Sequence, residues 1–185
     1  MNEISPAIHR LCRLIRIGGV VFVTGVVAIY LITWCWPVSA ANGPHFMLKL
    51  HLAGLPANAL ADLSTGDRLL IGSISLPYLA ALIWAFYRLD RMLRGFERGE
   101  FFEQATVGHL RAFSGYLLLA KLLSLLAMHA RVGTLMHVLG HENVRAMVNL
   151  SSDDMAVLLM CALFFLIARM MEEGRRLAEE NRGFI

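Results

Sequence analysis

Lys121 is the residue of this chain whose position most strongly suggests a chemical role. It lies near the middle of the apolar run Leu110–Ala130, which is long enough to cross a bilayer. An amine at that depth costs about 2.5–3.5 kcal/mol on membrane-insertion scales, and such residues commonly have a function. The acidic residues are expected at helix ends, so none is predicted beside Lys121. Two interpretations follow: the amine reaches the interface or a neighbouring hydroxyl, or it binds an anionic lipid or ligand.

Two histidines four residues apart, His137 and His141, form the other arrangement that could bind a ligand. On a helix, this spacing lets two imidazoles share a zinc ion. A turn is predicted between them and no glutamate follows His137, so exposed loop histidines are the favoured interpretation. His45 and His51 could add ligands if loop strands pair, which leaves an external metal or pH-sensing patch as the alternative. Since no nucleophile–base pair is present either, we predict no enzyme activity, no cofactor and no metal.

Four apolar runs form the elements that must position these residues. They are Ile17–Pro37, Leu69–Leu89, Leu110–Ala130 and Met155–Met171. A hydrocarbon core about 30 Å thick needs about 17 to 25 helical residues, so each run can form one span. Hydrophobic residues make up 57% of the chain, whereas soluble domains contain about 45–50%. We therefore predict a single integral membrane domain folded as a four-transmembrane-helix bundle.

The basic residues predict which way this bundle faces. Twelve arginines lie beside one set of helix ends: before the first span, around the loop 90–109, and around a helical extension over 172–182. Four lysines and arginines lie around the loops 38–68 and 131–154. Because cytoplasmic flanks are enriched in Lys and Arg, we expect both termini in the cytoplasm and these two loops outside. Basic residues clustered at helix ends give no surface for direct nucleic-acid binding.

Local signals predict where the helices bend and end. Pro77 lacks an amide hydrogen and clashes with the preceding turn, so the second span is expected to bend there. The same helix is expected to end at Gly95, a residue suited to a left-handed cap. In the C-terminal extension, the i,i+4 pairs Glu172–Arg176 and Arg175–Glu179 are expected to stabilise a solvated helix.

The external loops show a different periodicity, which predicts a small β element. Apolar and polar residues alternate in Val144–Leu150, after the turn residues Gly140–Asn143. Alternation around a Gly/Asn turn is typical of a hairpin, so Thr134–Leu139 is expected to pair with Val144–Leu150. Because an isolated hairpin is marginal in water, Phe46–Leu52 is a candidate third strand of an extracytoplasmic sheet. The alternative for that loop is an interfacial helix over Phe46–Leu60.

Two motifs on the predicted cytoplasmic side resemble those of a known bacterial family. The first, Phe96–Phe102, reads Phe-Glu-Arg-Gly-Glu-Phe-Phe, and the second is Glu173–Asn181 near the C-terminus. With the four apolar runs, they resemble the four-helix membrane proteins catalogued as domain of unknown function 2975. The resemblance implies four spanning helices in the bacterial plasma (inner) membrane and supplies no catalytic residues. The candidate functional positions in these motifs are Phe96, Gly99, Phe101, Phe102, Gly174, Glu180 and Asn181.

The function expected from these features is a non-enzymatic regulatory or sensory role in the lipid bilayer. Both motifs lie on the predicted cytoplasmic side, so we expect Phe96–Gln104 and Arg175–Ile185 to contact a cytoplasmic protein. Relatives are often encoded beside small helix-turn-helix regulators, which makes such a regulator one candidate partner. The alternative is a small oligomeric transporter or channel-like protein for an ion or small molecule, in which a homo-oligomer forms a pathway lined by Lys121.

Overall fold

Five helices make up the part of the chain that the structure describes. The structure, a computed structural model, describes residues 6–35, 64–100, 103–139 and 152–182. Its helices are α1 (Pro6–Cys35), α2 (Thr65–Ser73), α3 (Leu76–Glu97), α4 (Gln104–Leu139) and α5 (Ser152–Arg182). Helix α4 packs against α3 and α5, and α1 packs against α3. The four long helices therefore form a bundle with α3 and α4 at its centre.

The main apolar core lies where α1 and α4 begin and α3 and α5 end, which we call the arginine-rich end. All four long helices contribute to it, through Cys12, Ala85, Met92, Leu93, Leu110, Phe113 and Ala168. Phe113 packs edge-on against Phe86 at 6.4 Å between ring centroids and against Phe164 at 5.5 Å. Such tilted aromatic pairs add to the free energy gained by burial. One side chain of α4 thus links α3 to α5.

Large apolar side chains cover the outside of the bundle, as expected for a lipid-facing surface. Val20, Leu126 and Met170 are each more than 60% exposed. Among the described residues, three helical segments are long and apolar enough to cross a membrane: Ile8–Ile32, Gln104–Arg131 and Asp154–Leu177. Helices α2 and α3 pass the same test only as a pair, bent by 45°. The described part of the bundle therefore has three candidate spans, or four if the bent pair crosses as one.

The predicted β-hairpin is wrong where the structure can test it. Thr134–Leu139, the expected first strand, forms the last turns of α4, and no strand occurs in the described ranges. The Thr134 hydroxyl donates to the Ala130 carbonyl at 2.9 Å, which satisfies this polar side chain within the helix. Extending an existing helix adds one hydrogen bond per residue, so propagation outweighs a local β pattern. Val144–Leu150 and Phe46–Leu52 lie outside the described residues.

The predicted bend at Pro77 is confirmed. Helix α2 ends at Ser73 and α3 begins at Leu76, so that Pro77 occupies the first turn of the new helix, where its missing amide hydrogen is tolerated. The Ser73 hydroxyl donates to the Leu70 carbonyl at 2.7 Å, and the Ser75 amide donates to Gly72 at 2.9 Å. These bonds satisfy backbone carbonyls that the break releases.

The predicted end of α3 at Gly95 is wrong by two residues. Helix α3 continues to Glu97, and Gly99 is the residue with a positive φ, of 81°. The amide of Glu100 donates to the Gly95 carbonyl and that of Gly99 donates to the Phe96 carbonyl, at 3.0 and 3.1 Å. This pair of bonds is the Schellman motif, which requires a left-handed residue after the helix. Gly95 has a different role, as a close-packing position.

We expect Gly99→Ala to lower the free energy of unfolding by about 1–2 kcal/mol, the cost of placing a Cβ in the left-handed region. Urea or thermal unfolding of the detergent-solubilised protein measures the change. Gly99→Asn is the matched control, because Asn tolerates this backbone conformation better than Ala. Equal stability of the Ala variant and the parent protein would contradict the assignment of Gly99 as the residue that ends α3.

Candidate functional site

Lys121 forms an ion pair with Asp154, which joins the middle of α4 to the first turn of α5. Both side chains are shielded, with 19% of Lys121 and 12% of Asp154 exposed. The expectation that no carboxylate lies at the depth of Lys121 is therefore wrong. A neighbouring opposite charge offsets part of the penalty of placing an amine among apolar residues.

The position of α5 along α4 explains this pairing. Helix α4 continues for 18 residues beyond Lys121, from 121 to 139, or about 27 Å. Helix α5 begins at Ser152, beside Lys121 and not beside the end of α4. The start of a helix carries partial positive charge, so an acidic residue in its first turn is further stabilised. Asp154 therefore lies between the positive end of a helix dipole and the Lys121 amine.

Lys121 lies closer to one face of its candidate span than to the other. It is 17 residues after Gln104 and 10 residues before Arg131, the two ends of that span, or about 26 and 15 Å along the helix. The Lys121–Asp154 pair is thus displaced away from the arginine-rich end. It is a compact, neutral pair of charges at the point where α5 starts.

A second charged cluster, at the arginine-rich end, joins α1 to α3. Arg16 contacts Asp90 at 2.9 Å and Glu97 at 2.7 Å, and Arg94 contacts Asp90 at 2.7 Å. From the sequence, Arg16 and Arg94 count toward orientation, and this cluster is not predicted. The signal that could have identified the cluster is the seven-residue spacing of Asp90 and Glu97, which places both carboxylates on one face of a helix.

Other arginines at this end also contact neighbours within the bundle. Arg88 lies 3.4 Å from the Nδ1 atom of His109 on α4 and stacks 6.0 Å from the centre of the Trp84 ring. Arg91 donates to the Tyr87 hydroxyl at 3.1 Å. Arginine stabilises aromatic rings and hydrogen-bond acceptors with the same planar group. These arginines therefore contribute to packing within the bundle.

The described residues of the first sequence motif have structural roles. Phe96 is half-buried and packs against the main core, and Gly99 allows the turn after α3. Phe101 and Phe102 lie outside the described residues. The packing of Phe96 in the core and the turn that Gly99 allows are sufficient to explain these two residues. Neither role requires a binding partner.

The second motif is an exposed helix stabilised by its own charges. Arg175 contacts Glu179 at 2.6 Å, as predicted, and Glu172 at 2.8 Å. Arg176 contacts Glu173 and Glu180, at 3.2 and 3.3 Å. The predicted pair Glu172–Arg176 is therefore replaced by pairing three residues apart. All of these contacts lie within α5, so this segment needs no neighbouring helix to hold its shape.

The remaining candidate positions do not converge with these clusters. Gly174 is exposed on α5 and a Cβ there would meet no atom within 4 Å, and Asn181 lies in the last turn of the same helix. His137 is exposed on α4, whereas His141 lies outside the described residues. Within the described ranges, no three His, Cys, Asp or Glu residues are grouped so that they could hold a metal ion.

Comparisons with known proteins add no relative to this picture. No protein-family model, no curated protein and no solved structure matches the chain. The resemblance to the four-helix family therefore stays a prediction.

Proposed function

We propose that this chain is a non-enzymatic regulatory or sensory protein of the bacterial inner membrane, in which α5 transmits a change in conformation. The observation behind this proposal is that one uninterrupted helix of 31 residues joins the Lys121–Asp154 pair to the charged tail, which we define as residues 172–182. Such a helix is about 46 Å long and moves as a unit. The tail is expected in the cytoplasm, as the positive-inside rule predicts.

The packing of α5 supports its role as the moving element. Helix α5 packs mainly on α4, and its other side is exposed at Leu159, Leu163 and Leu166. The Lys121–Asp154 pair is the polar link at the start of this interface. A signal that weakens the pair would change how α5 lies on α4, because apolar contacts such as that of Phe113 with Phe164 are less directional than an ion pair. The two arrangements of α5 would then differ in the position of the tail.

The charged side chains of the tail are able to exchange their ion pairs within α5 for ion pairs with another protein. Arg176 is 62% exposed, and its contacts with Glu173 and Glu180 are solvent-accessible. Exposed ion pairs of this kind contribute about 0–1 kcal/mol each, so a protein with a complementary surface of mixed charge can replace them at little cost. A helix-turn-helix regulator, as the family resemblance implies, is one candidate for that protein.

Cross-linking in native membranes, followed by quantitative mass spectrometry, tests this proposal. We expect a partner that the unaltered protein captures to be lost from the variant Arg175→Glu/Arg176→Glu. The variant Lys121→Met/Asp154→Leu changes the opposite end of α5, and we expect it to alter capture of the same partner. Arg111→Glu is the control, since Arg111 is an exposed arginine near the same end but lies on α4. Identical capture by all four proteins would refute the proposal.

One observation favours the alternative of a small oligomeric transporter or channel. Transporters often bind their substrates where a spanning helix is broken, and α2–α3 is broken in this way. Ser75, at the break, is 4% exposed, and its hydroxyl has no hydrogen-bond partner among the described residues. Ion or solute flux into liposomes that contain the purified protein would favour transport. Flux that Ser75→Ala leaves unchanged would remove this observation from the argument.

A further inference from the structure

A groove between α1 and α3 opens on the outside of the bundle. It encloses about 290 Å³, and its walls are mainly apolar, with Val20 and Val23 from α1 and Ile83 and Phe86 from α3. Val20 is 61% exposed and Ile83 is 45% exposed, so the groove is accessible from the surface where lipid chains would lie. Its length along α1, from residue 15 to residue 24, is about 14 Å.

Gly19 determines the shape of this groove. A Cβ at this position would lie 3.1 Å from the Phe86 ring. The absence of a side chain lets α1 approach α3 closely at Gly19 and leaves an apolar channel along the seam. Phe22 continues the contact, with its ring 5.4 Å from that of Phe86. The groove is thus a narrow furrow between two packed helices.

One end of the groove is charged. Arg16 and Asp90 line it there, and Arg16 shares its charge with two carboxylates, Asp90 and Glu97. Arg13 precedes Arg16 by three residues and is exposed, and Arg94 follows Asp90 by four residues with 52% of its side chain exposed. Residues spaced in this way share a helix face, so both arginines lie beside the same end of the groove. Three positive and two negative charges leave this end positive.

We propose that the groove binds one acyl chain of an anionic glycerophospholipid, and that Arg13 and Arg94 contact its phosphate. The groove is charged at one end and apolar along the rest of its length, and a lipid molecule likewise has a charged headgroup and an apolar chain. The net positive charge favours an anionic headgroup over a zwitterionic one, because basic side chains near a membrane surface attract anionic lipid. A length of helix of about 14 Å, about 10–12 Å across with its side chains, occupies on the order of 1,000 Å³. The furrow encloses about 290 Å³, so it is too small for a helix of a second copy.

Native mass spectrometry of the full chain, exchanged into micelles with equal amounts of phosphatidylcholine and phosphatidylglycerol, tests this site. We expect one phosphatidylglycerol to be retained in preference. Each of Arg13→Gln and Arg94→Gln should reduce that preference about fivefold, the factor that corresponds to the usual contribution of one basic residue. Val20→Phe, which fills the furrow without touching the ion pairs, should reduce retention of both lipids.

Arg169→Gln is the matched control, because Arg169 is an exposed arginine on α5, next to the core residue Ala168, at a similar depth. An equal loss of preference in this control would show that general surface charge binds the lipid, and would overturn the proposal. Equal retention of both lipids by the unaltered protein would also overturn it. So would a dimer that Val20→Phe dissociates, since the groove would then bind a second copy.

Discussion

Replacing Lys121 by Met is expected to lower the free energy of unfolding by about 3–5 kcal/mol, the usual effect of removing one partner of a buried ion pair. The variant leaves the Asp154 carboxylate, only 12% exposed, against the apolar side of α4 without the amine that balances it. Met has nearly the same length as Lys, so the change removes charge and little volume. Unfolding of the purified protein in mixed detergent micelles, followed by circular dichroism, measures the effect.

The double variant Lys121→Met/Asp154→Leu separates the ion pair from packing. Replacing both members of a buried pair by apolar residues is commonly neutral or stabilising, so we expect most of the lost stability to return. Arg176→Met is the control for charge removal at an exposed pair, where an effect of about 1 kcal/mol or less is expected. The single variant Asp154→Leu completes the cycle. A double variant whose loss of stability equals the sum of the two single losses would show that the two residues are not energetically coupled.

The same double variant distinguishes a structural pair from a functional one. If it folds as stably as the parent protein and captures the same partner, the pair serves only to attach α5 to α4. If it folds stably but capture changes, the pair sets the position of α5 and thereby of the charged tail. Stability and capture are measured on the same sample, so loss of folding cannot be mistaken for loss of signalling.

The features that the sequence predicts correctly are those that depend on neighbouring residues. A span requires enough consecutive apolar residues, so the described residues of the runs Ile17–Pro37, Leu110–Ala130 and Met155–Met171 each lie within a helix. Pro77 bends its helix through its own ring and its missing amide hydrogen. Each of these effects acts within about one turn, so a local pattern is sufficient to predict it.

The features that the sequence does not predict depend on how distant helices align. Lys121 and Asp154 are 33 residues apart, and they meet only because α5 starts partway along α4. Arg16 and Glu97 are 81 residues apart, and their contact requires α1 to lie antiparallel on α3. The strand predicted at Thr134–Leu139 fails for a related reason, because the pattern there does not reveal that a long helix already leads into it.

Gly95→Ala is expected to lower the free energy of unfolding by about 1–3 kcal/mol, the usual cost of adding a methyl group to a filled site. A Cβ at Gly95 would collide with the Thr106 hydroxyl and lie 3.2 Å from its methyl group. Both residues are buried where α3 crosses the start of α4, and Gly95 also accepts the hydrogen bond that closes the Schellman motif. Because the Thr106 Cβ itself would lie 3.3 Å from the new methyl group, rotating the Thr106 side chain would still leave a close contact.

Second-site changes at Thr106 test whether this collision is the cause. Gly95→Ala/Thr106→Ala removes the hydroxyl and the methyl group and leaves only a 3.3 Å contact with the Thr106 Cβ, so stability should largely return. Gly95→Ala/Thr106→Val keeps both branches and should not recover, which separates a steric effect from loss of the hydroxyl. Gly174→Ala is the control for helix propensity, because that exposed glycine has no neighbour within 4 Å. Since Ala favours a helix interior over Gly by about 0.5–1 kcal/mol, this control should gain stability. A loss of stability at Gly95 and a gain at Gly174 would together identify close packing as the reason for a glycine at position 95.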